Sequence, residues 1–154
     1  MRVLFPGSFD PLTNGHVHII ERLLAIADEV LLAVCVNPRK TGLFPAEERA
    51  ALLREHFAEE ARVRVLIETG LVALAARREG AVLVRALRGG AEMDCEEQQA
   101  RINRRLGAET LFLLADPAYL HISSSAVKEL LAFGGPIGDM VPPRVAAALA
   151  VIGR

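Results

Sequence analysis

The sequence contains few of the residues from which metal cages and disulfide frameworks are built. Its 154 residues include two cysteines and four histidines. Cys35 lies in an apolar run and Cys95 in an acidic stretch, and neither has the CxxC spacing or the neighbouring histidine pair of a zinc site. We therefore expect neither a resident metal centre nor a disulfide-stabilised fold.

The sequence also lacks an excess of positive charge and any long hydrophobic segment. Its formal net charge is −1, whereas nucleic-acid-binding proteins usually present a clustered basic face. No apolar run approaches membrane-spanning length, and the N-terminus enters a predicted strand without the features of a signal peptide. We therefore expect a cytoplasmic protein that binds small molecules rather than nucleic acid or membrane.

Predicted strands and helices alternate along the whole chain. Hydrophobic residues make up 52% of the sequence, which suffices for a substantial core in one domain of 154 residues. Runs rich in valine and leucine predict strands at residues 3–5, 30–36, 63–67, 82–84 and 110–114. Helices are predicted from residue 14 and at 46–57, 71–78, 91–105, 124–132 and 143–152. The sequence thus predicts a single α/β domain over residues 1–154, with a five-stranded parallel sheet flanked by helices.

A glycine-containing turn joins the first predicted strand to the first helix. The turn reads PGSFDP at residues 6–11, and NGH follows at 14–16. With Thr13 as the N-cap, His16 takes the third helical position, beside the exposed amides of the first turn. Those amides and the helix dipole attract anions. The opening loop therefore predicts a phosphate site at His16, the alternative being a merely polar first-turn residue.

Further phosphate-binding side chains follow other predicted strands. The segments are NPRK at residues 37–40, RALR at 85–88 and YLHISSS at 119–125. Ligands of open parallel sheets collect at the carboxyl ends of the strands. These loops therefore predict one shared site for a polyanionic ligand.

Lysine is rare in this chain, because 16 of its 18 basic side chains are arginine. The two lysines, Lys40 and Lys128, both lie in or beside predicted anion loops, where a compact ammonium is not replaceable by a guanidinium. Lys128 follows three serines at the start of a predicted helix, and a cation there is unfavourable unless an anion intervenes. This pattern favours phosphate binding over the alternatives of ordinary N-capping and chance placement.

Arg85 and Arg88 leave the end of a predicted buried strand, where guanidinium groups need anionic partners. Phosphates would serve, and so would structural ion pairs with Asp94, Glu96 or Glu97 of the next helix. The spacing leaves both explanations open. The remaining histidines are interpreted as mainly solvated or structural: His18, His56 and His121.

Five ordered segments carry a family resemblance. They are GSFDPLTNGH from residue 7, NPRK from 37, LVRALR from 83, DCEEQQARINR from 94 and HISSSAVKE from 121. The first resembles the G(T/S)FDPxxxGH signature of the nucleotidyltransferase superfamily, in which the histidine stabilises the transition state. The ordered set resembles the bacterial phosphopantetheine adenylyltransferases across essentially the whole chain, with RALR in place of the family's RGLR.

The resemblance implies a dinucleotide-binding-like (Rossmann-type) domain, assembled as a homohexamer. It implies transfer of AMP from ATP to 4′-phosphopantetheine, which yields pyrophosphate and dephospho-coenzyme A in the penultimate step of coenzyme A synthesis. Coenzyme A is a further expected ligand, as an inhibitor. We expect Mg²⁺ to be bound mainly through the substrate phosphates, because this ion needs few protein carboxylates.

The resemblance also assigns residues to the two substrates. ATP-binding residues would be Ser8, Phe9, His16, Ala86, Leu87, Arg88, Glu96, Tyr119, Leu120, His121, Ile122, Ser123, Ser124 and Ser125. Residues binding phosphopantetheine would be Ser8, Lys40, Leu71 and Arg85.

We expect the acceptor phosphate to attack the α-phosphorus in line, without a covalent enzyme intermediate. Positioning and charge neutralisation then supply the acceleration, with His16, Lys40 and Arg88 as the catalytic candidates. The alternatives are another nucleotidyltransferase, which adenylates nicotinamide mononucleotide or uses CTP, and a non-catalytic nucleotide-binding regulator. The apolar face of the last helix would in addition offer subunit contacts through Val145, Leu149 and Ile152.

Overall fold

Strands and helices alternate in the computed structural model, which describes residues 1–153. The strands are β1 (Arg2–Gly7), β2 (Glu29–Cys35), β3 (Val63–Glu68), β4 (Val82–Leu87) and β5 (Thr110–Leu114). The helices are α1 (Asn14–Leu24), α2 (Ala46–His56), α3 (Val72–Glu79), α4 (Met93–Arg105), α5 (Ser124–Ala132) and α6 (Pro143–Ile152). Short 3₁₀ turns lie at Gly90–Glu92 and Pro117–Tyr119. The last residue of the predicted domain, at position 154, is outside the described residues.

The five strands form one parallel sheet in the order β3-β2-β1-β4-β5. The chain builds outward from β1 to β3 and then crosses to the other side of β1, where β4 and β5 add. Such a change of direction leaves a crevice at the carboxyl ends of β1 and β4, where ligands bind in open α/β sheets. The predicted Rossmann-type fold is confirmed.

The central strands are apolar because helices cover both faces of the sheet. Neighbouring residues of a strand point to opposite faces, and they accordingly belong to two separate core clusters. Val3 and Val30 pack in the larger cluster with residues of α1, α2 and α6. Leu4 and Leu31 pack in the smaller one with alanines of α3. All four side chains are fully buried.

Strand β4 is longer than predicted. It continues through Leu87, because β5 pairs with it from Leu83 to Leu87. Three residues of the RALR segment, 85–87, therefore belong to a strand rather than to the predicted loop. Arg85 is consequently held by sheet hydrogen bonding, whereas Arg88 is the first residue beyond the strand.

Helix α6 does not present the expected apolar face for subunit contacts. Val145 and Leu149 are 1% and 0% exposed, because α6 packs against α2 within the larger core cluster. Only Ile152 of the three predicted contact residues is exposed, at 42%. The expectation for Val145 and Leu149 was wrong, since the helix uses them to close its own core.

None of the helices within residues 1–153 combines the length and the hydropathy that crossing a membrane requires.

Candidate active site

Two cavities open at the carboxyl ends of the central strands. The first has a volume of about 230 Å³, and its lining includes His16, His18, Arg85, Arg88, Tyr119 and Ile122. The second has a volume of about 410 Å³, and its lining includes Ser8, Asp10, Lys40, Arg49, Ser125 and Lys128. Consecutive residues at the end of β1 line different cavities, Gly7 the first and Ser8 the second. The two cavities are therefore neighbours.

His16 is fixed by the start of α1. Thr13 is the N-cap, as predicted, and its Oγ1 accepts a hydrogen bond from the backbone N–H of His16 at 3.3 Å. In return, Nδ1 of His16 accepts the backbone N–H of Thr13 at 3.1 Å. This reciprocal pair is a capping box with histidine in the place usually taken by glutamate or glutamine. The Nδ1 atom of His16 is thus used to cap the start of α1.

The other ring nitrogen of His16 carries the proton. Because Nδ1 accepts a backbone N–H, the neutral ring must be the Nε2–H tautomer. Burial, and secondarily the positive charge of Arg88, lowers the pKa of His16 to about 4. At neutral pH His16 is therefore an uncharged hydrogen-bond donor in the lining of the first cavity.

The ring of Phe9 packs against the imidazole of His16. The φ of Phe9, 48°, lies in the left-handed region, which disfavours a side chain with a Cβ. The ring is 1% exposed, and its centroid lies 5.1 Å from that of His16. A Cβ on Gly7 would lie 3.2 Å from this ring, so the glycine leaves room for it. Burial of the ring offsets the unfavourable backbone conformation.

Arg85 and Arg88 have different partners, although both line the first cavity. Arg85 forms a two-pronged ion pair with Glu96, at 3.0 and 2.8 Å. The structural ion pair considered for Arg85 is therefore present. Nη2 of Arg88 donates to the carbonyl of Ile122 at 3.2 Å. Within residues 1–153 no carboxylate lies within the 4.0 Å ion-pair distance of the Arg88 guanidinium, which leaves its charge available to a ligand.

The serines before α5 have separate roles. Ser123 is the N-cap, and its Oγ accepts the N–H of Ala126 at 3.0 Å. Ser124 donates to the carbonyl of Pro11 at 2.9 Å, which ties α5 to the opening loop. Ser125 is exposed and lines the second cavity. Ordinary capping thus accounts for Ser123, while Ser124 and Ser125 reach the second cavity.

Lys128 already has an anionic partner within the chain. Its Nζ lies 3.3 Å from Oδ2 of Asp10. The inference that a bound phosphate must compensate this lysine was wrong, because the fold brings the opening loop over the start of α5. The spacing in the sequence does not reveal this pair, since 118 positions separate the two residues.

Asp10 joins the opening loop to the segment that carries Lys40. Its side chain is buried, and its two oxygens accept the backbone N–H groups of Leu43 at 2.8 Å and Phe44 at 2.9 Å. A Cβ on Gly42 would lie 2.7 Å from Oδ2 of Asp10, so this close approach requires glycine. Sequence reasoning missed the role of Asp10, which depends on contacts with residues more than 30 positions away.

The cavities divide the predicted site residues. The first is lined by His16, Arg85, Ala86, Arg88, Tyr119 and Ile122. The second is lined by Ser8, Lys40, Ser124 and Ser125. Neither lining includes Phe9, Leu71, Leu87, Glu96, Leu120, His121 or Ser123. The structure therefore brings the charged candidates together in two adjoining groups, and the roles of the individual residues stay predictions.

His18 is a residue of the first cavity that sequence reasoning set aside. Its ring stacks on Tyr119, with centroids 4.5 Å apart and an interplanar angle of 18°. Its Nε2 is buried without a hydrogen-bond partner among the described residues, 3.9 Å from Oδ2 of Asp116. Residues two apart on a helix do not share a face, so the spacing from His16 gave no signal for this placement.

The chain matches the family model of cytidylyltransferase-like proteins over residues 4–130. This span contains β1 from Leu4 onward, all of β2 to β5, and both sets of loops that line the cavities. The parallel sheet and its two polar cavities therefore define a nucleotidyltransferase of the cytidylyltransferase-like class.

Relatives of high identity narrow this class. A phosphopantetheine adenylyltransferase from Kocuria rhizophila is 48% identical over 151 residues, 96% of this chain and 97% of that protein. Proteins of the same name from Streptomyces coelicolor and Geotalea daltonii are 46% and 44% identical, over 96% and 95% of this chain and 94% and 92% of their own. The chain belongs to the phosphopantetheine adenylyltransferase family, which confirms the resemblance found in the sequence.

A solved structure from Vibrio parahaemolyticus has the same fold. That protein, described as a "Putative Nicotinate-nucleotide Adenylyltransferase", matches with a TM-score of 0.70 over 99% of this chain and 93% of its own. The two sequences are 18% identical, so this likeness concerns the fold alone.

We expect the imidazole of His16 to titrate near pH 4 in the free protein and to carry its proton on Nε2. An ordinary histidine titrates near pH 6.5, so the unfolded chain binds this proton first as the pH falls. The stability that depends on neutral His16 is thus present above pH 6.5 and is lost between pH 6.5 and 4. Long-range ¹H–¹⁵N correlation spectra report both properties. Titration near pH 6.5, or a proton on Nδ1, would contradict this expectation.

We expect Asp10→Asn to lower the free energy of unfolding by about 2 kcal/mol, because one of two buried N–H groups loses its acceptor. Urea denaturation measures the effect. Asp139→Asn is the matched control, since Asp139 is exposed and should change stability by less than about 0.5 kcal/mol. Equal effects of the two substitutions would show that the Asp10 contacts contribute little.

Proposed function

We propose that this chain transfers AMP from ATP to 4′-phosphopantetheine, giving dephospho-coenzyme A and pyrophosphate. Three relatives that bear the name of this enzyme and share 44–48% identity with the chain support the choice of substrates. The structural observation that most supports this reaction is that two cavities with cationic side chains lie next to each other. Each cavity has a cationic side chain for the phosphate of one substrate, and we place the reacting α-phosphate at their shared boundary.

The first cavity is assigned to the nucleotide. Its hydrogen-bond donor is the neutral imidazole of His16, and its uncompensated cation is Arg88. Tyr119 and Ile122 supply apolar surface for a base or ribose. A neutral donor and a fixed guanidinium suit the α-phosphate, because they stabilise charge without giving up a proton.

The second cavity is assigned to the phosphate of phosphopantetheine. Ser8 lies at its boundary with the first cavity, and the exposed side chain of Lys40 enters its lining. Lys40 makes no ion pair within residues 1–153, so its ammonium is free to meet the acceptor phosphate. Arg85 would contribute from the neighbouring cavity with the part of its guanidinium that Glu96 leaves open.

The proposed reaction is a single in-line displacement. An oxygen of the acceptor phosphate forms a bond to the α-phosphorus as the bond between that phosphorus and the β-bridging oxygen breaks. The electron pair leaves with pyrophosphate. A phosphate monoester is already ionised at neutral pH, so the attacking oxygen needs no general base. His16, Arg88 and Lys40 would stabilise the charge that develops on the phosphate oxygens.

The protonation state of Cys35, the cysteine that lines the second cavity, supports direct transfer of AMP between the two substrates. Burial raises the pKa of Cys35, and its Sγ points to the carbonyl of Ala33 at 3.5 Å. A thiol that is protonated at neutral pH is a poor nucleophile. The proposed mechanism accordingly forms no covalent intermediate with the enzyme.

In the proposed reaction, Mg²⁺ would bind together with ATP, as part of the nucleotide substrate. Within the part of the chain that the structure describes, no group of three or more His, Cys, Asp or Glu side chains is placed to hold a metal ion. Asp10, in the second cavity, is already engaged by two backbone N–H groups and by Lys128. This donor set fits an ion held by substrate phosphates and water, whose charge would offset that of the triphosphate.

We also propose a cytoplasmic homohexamer that binds coenzyme A as an inhibitor. Phe133 and Leu114 are large apolar side chains exposed on the described surface, at 86% and 67%, and contacts between subunits would bury them.

Pyrophosphate release from MgATP with a panel of acceptors tests the proposed reaction. We expect turnover with 4′-phosphopantetheine and a product with the mass of dephospho-coenzyme A. The panel includes nicotinamide mononucleotide, and an alcohol phosphate paired with CTP. Preference for either would assign a different nucleotidyltransferase reaction, and nucleotide binding without any pyrophosphate release would indicate a regulator instead.

We expect His16→Ala to reduce kcat by about a hundredfold, with a smaller effect on either KM, because the lost interaction is made mainly in the transition state. Glutamine at the third helical position retains the capping box with Thr13 and an uncharged N–H donor. His16→Gln should therefore keep more of the activity and more of the free energy of unfolding than His16→Ala. His56→Ala serves as the control, because His56 is exposed and outside both cavities. Unchanged kcat in folded His16→Ala would remove this residue from the mechanism.

A further inference from the structure

Arg49 is a buried cation held entirely by backbone carbonyls. It lies in the first turn of α2 and is 8% exposed. Its Nη1 donates to the carbonyl of Ser8 at 2.7 Å and to that of Cys35 at 3.1 Å. Its Nε donates to the carbonyl of Phe44 at 3.1 Å. These contacts fix the guanidinium without neutralising it.

A buried charge usually has a partner of opposite sign, because desolvation is costly. Within residues 1–153 no carboxylate lies within the 4.0 Å ion-pair distance of the Arg49 guanidinium. The position is also unfavourable for a cation, since the first turn of a helix carries the positive end of its dipole. The charge of Arg49 therefore requires an explanation beyond the packing of α2.

The charges of the second cavity supply that explanation. Arg49 lines this cavity together with Lys40, Lys128 and Asp10. Asp10 is paired with Lys128, so Lys40 and Arg49 remain as two uncompensated positive charges. A phosphate monoester carries nearly two negative charges at neutral pH. Its charge therefore matches the excess of this cavity.

The three carbonyls that Arg49 binds belong to different segments. Ser8 follows β1, Cys35 ends β2, and Phe44 ends the segment that carries Lys40. One guanidinium thus sets the position of Ser8 relative to both the sheet and the Lys40 segment. A lysine has a single nitrogen in place of this planar fork and does not reproduce the same set of bonds.

We propose that Arg49 is a positioning residue for the acceptor phosphate. It holds the backbone of Ser8 at the boundary of the two cavities, and its charge attracts the phosphate group into the second cavity. This inference rests on the proposed function, because it assigns the second cavity to the phosphate-bearing acceptor.

Steady-state kinetics of Arg49→Met and Arg49→Lys separate the two contributions. Arg49→Met should raise the KM for 4′-phosphopantetheine and lower kcat, each by about tenfold, and each of these changes corresponds to about 1.4 kcal/mol. The KM for ATP should change less than about twofold, well under that 1.4 kcal/mol. Arg49→Lys restores the charge but not the fork, so the acceptor KM should recover while kcat remains low.

Arg54→Met is the matched control on the same helix. Arg54 is exposed, lines neither cavity, and makes one long hydrogen bond, of 3.5 Å, to the carbonyl of Val65. It should leave both KM values and kcat unchanged. If folded Arg49→Met has an unchanged acceptor KM, or raises both KM values equally, the positioning role is refuted.

Thermal stabilisation of the protein by inorganic phosphate distinguishes an error in the role of Arg49 from an error in the proposed reaction. Thermal unfolding of the wild type should shift upward with phosphate concentration, and the shift should be lost in Arg49→Met and kept in Arg49→Lys and Arg54→Met. If the wild type turns over no acceptor but keeps this pattern, the proposed reaction is wrong and the role of Arg49 in binding phosphate stands. An equal shift in Arg49→Met overturns the proposal for Arg49, whatever the reaction.

Discussion

The arrangement of the site depends on the order of strands in the parallel sheet. Because β1 lies between β2 and β4, the loops that follow these three strands open at one edge and meet there. The loop after β1 belongs to both cavities, because Thr13 lines the first and Ser8 lines the second. In the proposed arrangement, the two substrates would have their charged partners on two sides of a single loop.

Polar contacts of buried groups hold this edge in place. His16 completes the start of α1 through Nδ1 and keeps Nε2–H for a ligand. Asp10 accepts two N–H groups of the Lys40 segment, and Arg49 donates to carbonyls on three segments. His16 and Arg49 satisfy the backbone with one part of the side chain and leave another part to a cavity, whereas both oxygens of Asp10 are already engaged. Under the proposed mechanism, positioning and charge neutralisation would use the same residues, as suits a reaction in which the protein mainly orients substrates.

Periodicity and apolar runs were sufficient to predict the fold. All five strands and all six helices were expected at or within a few residues of their bounds, because two-sided burial of a parallel strand leaves a continuous run of valine and leucine. The main error was the end of β4, where pairing with β5 extends the strand through Leu87. Such pairing involves residues distant in the sequence, so it leaves no local signal.

The sequence by itself determined the elements, the helix cap at Thr13, the position of His16 in the first turn, and the family, because these depend on neighbouring residues and on ordered motifs. Only the tertiary structure decided how the charges are distributed. It gave Lys128 a partner in Asp10, gave Arg85 a partner in Glu96, and left Arg49 without one. The reason is physical: whether a charge is compensated depends on distances of a few ångströms between residues that the chain brings together from far apart, and no spacing along the sequence encodes those distances.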